Sequence, residues 1–129
     1  MTSWINAGNE IPYDWYEIRC QIDYSMNLKV YLNGLKNQDN NFCINFGQVL
    51  IYQAIDEGWD LNPYEYTDSF QNIPIMKEAV LIELIDSKLS KSIEKCYSQI
   101  FHHYQILGIN FGVDIVTQGI PTIEKHVKR

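Results

Sequence analysis

The sequence predicts an α+β protein in which one main helix packs on one face of an antiparallel sheet of five or six strands. Residues 16–24 alternate between apolar and polar side chains, which is the period of a half-buried strand. Apolar residues return at helical spacing after Ser87. The chain has 129 residues, 46% of them hydrophobic, which suits a single domain spanning 1–129.

The first two strands follow each other directly. In YEIRCQIDY, residues 16–24, the apolar positions share one face of a strand. The next run, LKVYL, places Leu28, Val30 and Leu32 on a common face. The short polar link between the two runs predicts a hairpin turn.

A third strand is predicted in FCINFGQVLIYQAI, where Phe42, Ile44 and Phe46 lie on one face. Gly47 interrupts this run, and an interior glycine in a strand indicates a bulge. The remainder, from Val49 to Ile55, is more continuously apolar. We interpret the whole run as one long bent strand, and a helical turn is the alternative for its second half.

A short buried strand is predicted in EAVLIELI, although its good helix formers leave a helical turn open. A helix of about twelve residues, Lys88 to Gln99, follows, and either Asp86 or Ser87 could cap it. Its predicted apolar face is formed by Leu89, Ile93, Cys96, Tyr97 and Ile100.

The C-terminal part, FHHYQILGINFGVDIVTQGIP, predicts a hairpin that reverses near GIN, followed by an exposed tail from Thr122. His102 and His103 are neighbours on a strand, so they point to opposite faces and cannot hold one ion together. One of them is expected to be half-buried and the other solvated.

Composition excludes several classes of function. The net charge is −6, with 16 acidic and 10 basic residues, which argues against binding to nucleic acids or anionic membranes. No apolar run approaches the roughly 18 to 20 residues that span a bilayer. The N-terminus has no basic and apolar leader pattern, so we expect a cytoplasmic protein.

No motif of catalysis, metal binding or cofactor binding is present. Cys20, Cys43 and Cys96 include no CxxC pair, and we expect reduced, mostly buried thiols. The chain lacks GxSxG, and GINFG lies in a predicted hairpin rather than before a helix. The acids after residue 55 lack the calcium-loop pattern. We therefore predict no catalytic residues, no metal and no cofactor.

The candidate binding site is the segment DEGWDLNPYEYTD, residues 56–68, at the start of a predicted loop of nineteen residues that extends to Pro74. Long loops tend to be functional, although a solvated connection is the simplest alternative. Aromatic side chains anchor protein interfaces, and carboxylates steer a basic partner. The predicted partner-binding residues are Asp56, Glu57, Trp59, Asp60, Tyr64, Glu65, Tyr66 and Asp68.

The overall design resembles that of small bacterial immunity proteins, which neutralise toxins of contact-dependent growth inhibition and related polymorphic toxin systems. The resemblance lies in the short acidic domain, in YQAIDEGWD after a strand and in HHYQILGINFGVDIVTQGIP at the end. It implies tight binding to one cognate toxin and no enzymatic activity. It carries no residue over by position, so the candidate residues come from the loop alone.

Two other classes of function remain open. The chain could be an adaptor or a subunit of a bacterial complex, including a homodimer formed through an exposed sheet edge. It could also be a small enzyme of unrecognised type, which a pocket with a strongly perturbed carboxylate or histidine would indicate. As a toxin inhibitor, it is expected to be a monomer or a homodimer.

Overall fold

Strands dominate the structure. The computed structural model describes residues 3–56, 79–109 and 111–126. Within these ranges the elements are β1 (Ser3–Asn6), β2 (Tyr16–Ile22), β3 (Asn27–Gly34), β4 (Asn41–Gln48), β5 (Ile51–Asp56), β6 (Leu81–Ile85), α1 (Lys88–Tyr97), β7 (His102–Leu107), β8 (Phe111–Thr117) and β9 (Thr122–Lys125). No helix in the described residues is long and apolar enough to cross a membrane.

The strands form two antiparallel sheets that pack face to face. One sheet has five strands in the order β1-β6-β7-β8-β5, and the other has four in the order β2-β3-β4-β9. The predicted α+β class, with antiparallel strands and one main helix, is confirmed. The strands are more numerous than predicted and are shared between two sheets, and the short edge strands β1 and β9 were not predicted.

The change of sheet occurs inside the segment that was predicted to be one long bent strand. β4 belongs to the four-stranded sheet and β5 to the five-stranded sheet, so the chain crosses between them at Val49 and Leu50. The predicted bulge at Gly47 is confirmed, because the β3–β4 register shifts opposite it and its φ is +66°. This bulge ends the regular pairing of β4 just before the crossing.

The main core lies between the sheets. The predicted inward face of β3, with Leu28, Val30 and Leu32, is fully buried. The four-stranded sheet packs against Tyr104, Ile106 and other apolar residues of the five-stranded sheet. β2 departs from its predicted pattern, because its apolar face is buried only from Tyr16 to Ile18, and Ile22 and Tyr24 are exposed.

Helix α1 covers part of the outer face of the five-stranded sheet. Ser87 is the N-cap, and its side chain accepts a hydrogen bond from Ser90 N. The helix ends at Tyr97, two residues earlier than predicted, and its C-cap is Ser98, whose φ is 54°. Ile93 is buried against the sheet, and Leu89 packs beside it. The rest of the predicted apolar face is exposed: Cys96, Tyr97 and Ile100.

The strands end at two opposite ends of the sandwich. One end includes the end of β5 at Asp56, the start of β6, the loops 7–15 and 35–40, and residues 107–109, and we call it the Asp56 end. Ile109 N donates a hydrogen bond to Tyr16 O there, which places the start of β2 at this end. The turns 22–26, 48–50, 86–87, 97–101 and 118–121 lie at the other end, which we call the Ile120 end.

Candidate functional site

The predicted acidic site begins where β5 ends. Asp56 is the last residue of that strand, opposite Phe111 of β8, so the strand continues one residue further than predicted. The other seven predicted residues lie outside the described residues: Glu57, Trp59, Asp60, Tyr64, Glu65, Tyr66 and Asp68. The two strands that flank this segment, β5 and β6, meet it at the same end of the sheet.

An exposed aromatic surface lies at this same end. Tyr13 and Trp15 are 51% and 47% exposed, and Leu35, on the neighbouring loop, is 49% exposed. Trp15 Nε1 donates to the Tyr13 hydroxyl at 3.2 Å, so the two rings are held side by side. Lys36 Nζ lies 5.1 Å from the centre of the Tyr13 ring and 5.0 Å from that of Trp15, within cation–π range.

Asp14, between the two rings in sequence, fixes this surface from beneath. It is only 1% exposed, and its carboxylate accepts hydrogen bonds from Lys36 N at 2.9 Å and Asn37 N at 3.0 Å. It also accepts from Asn40 Nδ2 at 3.0 Å and from Trp15 N at 2.6 Å. One carboxylate therefore joins the loop 7–15 to the loop 35–40 and sets the spacing of their exposed side chains.

The electrostatics of Asp14 favour its ionised form. Burial acts to raise the pKa of this carboxyl, but the hydrogen bonds from Lys36 N, Asn40 Nδ2, Asn37 N and Trp15 N together outweigh burial and hold the pKa below its usual value. The carboxylate is thus charged at neutral pH. Its fixed negative charge favours the orientation of the surrounding N–H donors.

Sequence reasoning missed this aromatic surface. A signal for it exists in YDWY, residues 13–16, where alternation around a buried Tyr16 would direct Tyr13 and Trp15 outward. The bonds that bury Asp14 could not be read from the sequence, because its partners Lys36 and Asn37 lie 22 and 23 residues away along the chain.

A second group of polar side chains lies under helix α1. Ser87 Oγ and His103 Nδ1 are 2.7 Å apart, and His103 Nε2 lies 2.8 Å from Asp114 Oδ1. Gln105 Nε2 donates to the same Asp114 oxygen at 2.8 Å. Gln105 Oε1 is buried without a hydrogen-bond partner among the described residues.

This serine, histidine and aspartate have the composition of a hydrolase triad but not its accessibility. Ser87 and His103 are 0% exposed and Asp114 is 3% exposed. A nucleophile and its base must contact the substrate, which this burial prevents. Ser87 Oγ is also engaged as the helix cap through Ser90 N at 3.1 Å. The cluster therefore supplies hydrogen bonds to buried polar groups beneath the helix.

The other histidine of the pair points to the inner face of the sheet. His102 Nδ1 lies 2.7 Å from Glu83 Oε2, with exposed side-chain fractions of 31% and 16%. Its ring stacks on Tyr104, whose pKa is raised to about 12 by burial, with a smaller effect from Glu83. The two histidines do face opposite sides as predicted, but neither is in solvent as one was expected to be, because His102 is half-buried and His103 is fully buried.

The cysteines and the metal-binding residue types form no site in the described part of the chain. All three cysteines are free: Cys20 and Cys43 are half-buried, and Cys96 is exposed, against the expectation of mostly buried thiols. Burial raises the pKa of the Cys20 and Cys43 thiols, which disfavours the reactive thiolate. No group of three or more His, Cys, Asp and Glu side chains among the described residues could hold a metal ion.

Comparison with known proteins found no matching family model, no similar curated protein and no similar solved structure. Of the groups described above, the exposed aromatic surface at the Asp56 end is the one that a macromolecular partner can reach.

Proposed function

We propose that this chain is a non-catalytic binding protein that neutralises a cognate basic effector, a nuclease-type bacterial toxin. One observation carries the proposal: Tyr13, Trp15 and Leu35 are exposed at the end of the sandwich where the acidic segment joins β5. Aromatic anchors beside carboxylates are the combination that binds and steers a basic protein. The resemblance to bacterial immunity proteins supports the choice of effector.

The charge distribution supports a basic partner. No lysine or arginine lies between Lys36 and Lys77, and this interval contains six acids: Asp39, Asp56, Glu57, Asp60, Glu65 and Asp68. A nuclease needs a basic cleft to bind phosphates. Carboxylates of an inhibitor can occupy such a cleft in place of the phosphates, and the inhibition would take place in the cytoplasm, before the toxin reaches nucleic acid.

The supporting scaffold favours binding without induced fit. Asp14 fixes the loops that carry the aromatic surface, so little loop ordering is needed when a partner docks. Trp15 and Tyr13 are large side chains with few rotatable bonds, which lose little entropy on binding. Both properties are expected of a protein that must bind one toxin tightly.

A charge-reversal experiment tests the acidic part of the site. The partner is the C-terminal domain of the secreted protein encoded directly upstream, if such a gene is present, or otherwise a protein captured from the same organism. Glu57→Lys with Asp60→Lys should weaken binding at least about 100-fold, because like charges at an interface cost several kcal/mol. Calorimetry measures the dissociation constant.

A matched control variant separates the effect of charge at the acidic segment from the effect of the net charge of the protein. Glu17 and Glu124 lie on the outer face of the four-stranded sheet and are exposed. Glu17→Lys with Glu124→Lys changes the net charge by the same amount, and it should change affinity by less than about threefold, since charges outside the contact act only through long-range attraction that salt screens. Equal losses in the two variants would exclude a local acidic site.

Truncation of an aromatic side chain tests the described part of the surface. Trp15→Ala should weaken binding by about 30-fold or more, since interface tryptophans are frequent hot spots. Trp15→Phe should retain most of the affinity, because it keeps an aromatic face. Unchanged binding by Trp15→Ala would remove this surface from the interface.

A further inference from the structure

Most of the exposed large apolar side chains lie at the Ile120 end. Eleven such side chains are exposed among the described residues, and seven of them belong to turns at this end. Tyr24 is 101% exposed, and Ile100 and Ile120 are 79% and 77% exposed. Soluble proteins rarely leave so many apolar groups together in water unless another surface covers them.

Hydrogen bonds join these turns into one surface. Val49 N donates to Met26 O at 2.9 Å, which ties the β4–β5 turn to the β2–β3 turn. Thr117 Oγ1 donates to Gln48 O at 2.9 Å, which ties the end of β8 to the β4–β5 turn. Gln118 Nε2 donates to Gln99 Oε1 at 2.9 Å and connects the segment after α1.

Few of the polar side chains of this surface are charged. Asp23 and Asp86 are the only charged residues in the turns 22–26, 48–50, 86–87, 97–101 and 118–121. The amides Gln48, Gln99 and Gln118 lie among the apolar residues. An amide is both donor and acceptor, so it can pair with an amide of an identical surface, which a charged group cannot do.

We propose that the Ile120 end is the surface through which two copies of this chain pair. A twofold dimer buries the same patch on both partners, so the patch must complement itself. Apolar side chains with neutral amides meet that requirement. A strongly basic partner has few counter-charges here and would be drawn to the acids of the other end.

The net charge explains why copies would meet at this end. Each chain carries −6, so pairing through charged faces is opposed by repulsion. β5, with 6 residues, spans about 20 Å along the sandwich. That length exceeds the Debye length of roughly 8 Å in physiological salt. End-to-end pairing therefore leaves the two Asp56 ends apart and screened from each other.

The consequence is a protein with two outward-facing copies of the Asp56 end. This pairing does not depend on the proposed inhibition of a toxin, because it uses other residues. Its failure and the failure of that function are therefore distinguishable.

Sedimentation velocity on the full chain tests the pairing over low micromolar to submillimolar concentrations. The wild type should reach twice the monomer mass of 15.1 kDa. Ile100→Glu with Ile120→Glu should weaken the dimer by at least about 100-fold, since it sets like charges across the twofold axis. Both positions are exposed, so the monomer should remain folded by circular dichroism. Leu35→Glu, at the other end, is the control and should leave dimerisation unchanged.

Salt dependence adds a second test. Raising ionic strength should strengthen or preserve the dimer, because salt screens repulsion between acidic chains and leaves apolar contacts intact. A wild type that stays monomeric throughout would overturn the proposal. So would a dimer that Leu35→Glu disrupts and the double variant does not. Loss of toxin binding by the double variant in a monomeric protein would assign this end to the toxin instead, and would also overturn the pairing.

Discussion

The two ends of the sandwich are held together in different ways. At the Asp56 end, one carboxylate with 1% exposure, Asp14, links two loops that are distant in sequence. At the Ile120 end, Asp23 also accepts N–H bonds, from Ser25 at 2.8 Å and Asn27 at 3.0 Å, but it is exposed and its partners lie in its own turn. The carboxylate at the first end therefore makes tertiary contacts, whereas these hydrogen bonds of the carboxylate at the second end are local.

Backbone conformation also differs between the two ends of the sandwich. The three non-glycine residues with positive φ among the described residues are Met26, Asp86 and Ser98, and all belong to turns of the Ile120 end. Such conformations cost free energy and persist where the surroundings or a function require them. The Asp56 end instead relies on close packing around Gly34. Among the described residues, the Asp56 end therefore combines a buried carboxylate with close packing, whereas the Ile120 end combines exposed apolar side chains with strained turns.

Loss of the buried carboxylate is expected to have the largest effect. Asp14→Ala leaves the N–H groups of Trp15, Lys36 and Asn37 without their acceptor and should lower the free energy of unfolding by about 2–4 kcal/mol. Urea unfolding followed by tryptophan fluorescence measures it. Asp23→Ala is the matched change at the other end and should cost clearly less. Equal costs would contradict the difference between the ends.

A methyl group at Gly34 should also be harmful. A Cβ there would lie 2.6 Å from Asp14 Oδ2 and 2.8 Å from Asn37 O. Gly34→Ala is expected to destabilise the protein by about 1–3 kcal/mol through overpacking.

Gly119 provides the control for Gly34 at the opposite end. A Cβ at Gly119 would come no closer than 4.0 Å to its nearest neighbour, Phe46 O. Gly119→Ala should therefore change stability by less than about 0.5 kcal/mol. A stable Gly34→Ala protein would mean that the Asp56 end is less tightly packed than the geometry indicates.

The sequence predicted local features well and tertiary ones poorly. The inward faces of β3 and β4 and the helix start at Ser87 follow from side-chain periodicity and capping, which are local properties. The change of sheet at Val49 and Leu50 does not, because a mostly apolar run fits either one buried strand or two.

The candidate sites show the same limit. The segment 56–68 stood out by composition, whereas the surface of Tyr13 and Trp15 did not, because the carboxylate that joins their loop to the loop 35–40 finds its partners far away in sequence. His103 was expected to be half-buried or solvated, and its full burial comes from helix α1 covering that face of the sheet. Composition alone contains neither fact.

A smaller effect on stability than that of the Gly34 substitution is expected at acid pH, where Asp14 becomes protonated. The pKa of Asp14 is lowered in the folded state, so its stabilising contribution is complete above its ordinary value of 3.8 and is lost as pH falls through the lower folded value. Asp14→Asn should therefore show a shallower loss of stability than the wild type below about pH 4. Urea titrations at several pH values measure the slopes, and identical slopes would show that Asp14 is not stabilised by its donors.

The smallest expected effect is a gain in stability at the Ile120 end. Ser98 adopts a left-handed conformation with φ 54°, and its N–H donates to Glu94 O at 2.8 Å as the cap of α1. Ser98→Gly should raise the free energy of unfolding by up to about 1 kcal/mol, because glycine adopts this conformation without a steric cost. Part of that gain is offset because glycine has more conformational entropy in the unfolded chain. Ser92→Gly, in the exposed helix interior, should instead lower it by a similar amount. If the two variants changed stability in the same direction, the turn after α1 would not be strained. If Ser98→Gly also weakened dimerisation, the strain would serve to hold Tyr97 and Ile100 in place for the second copy.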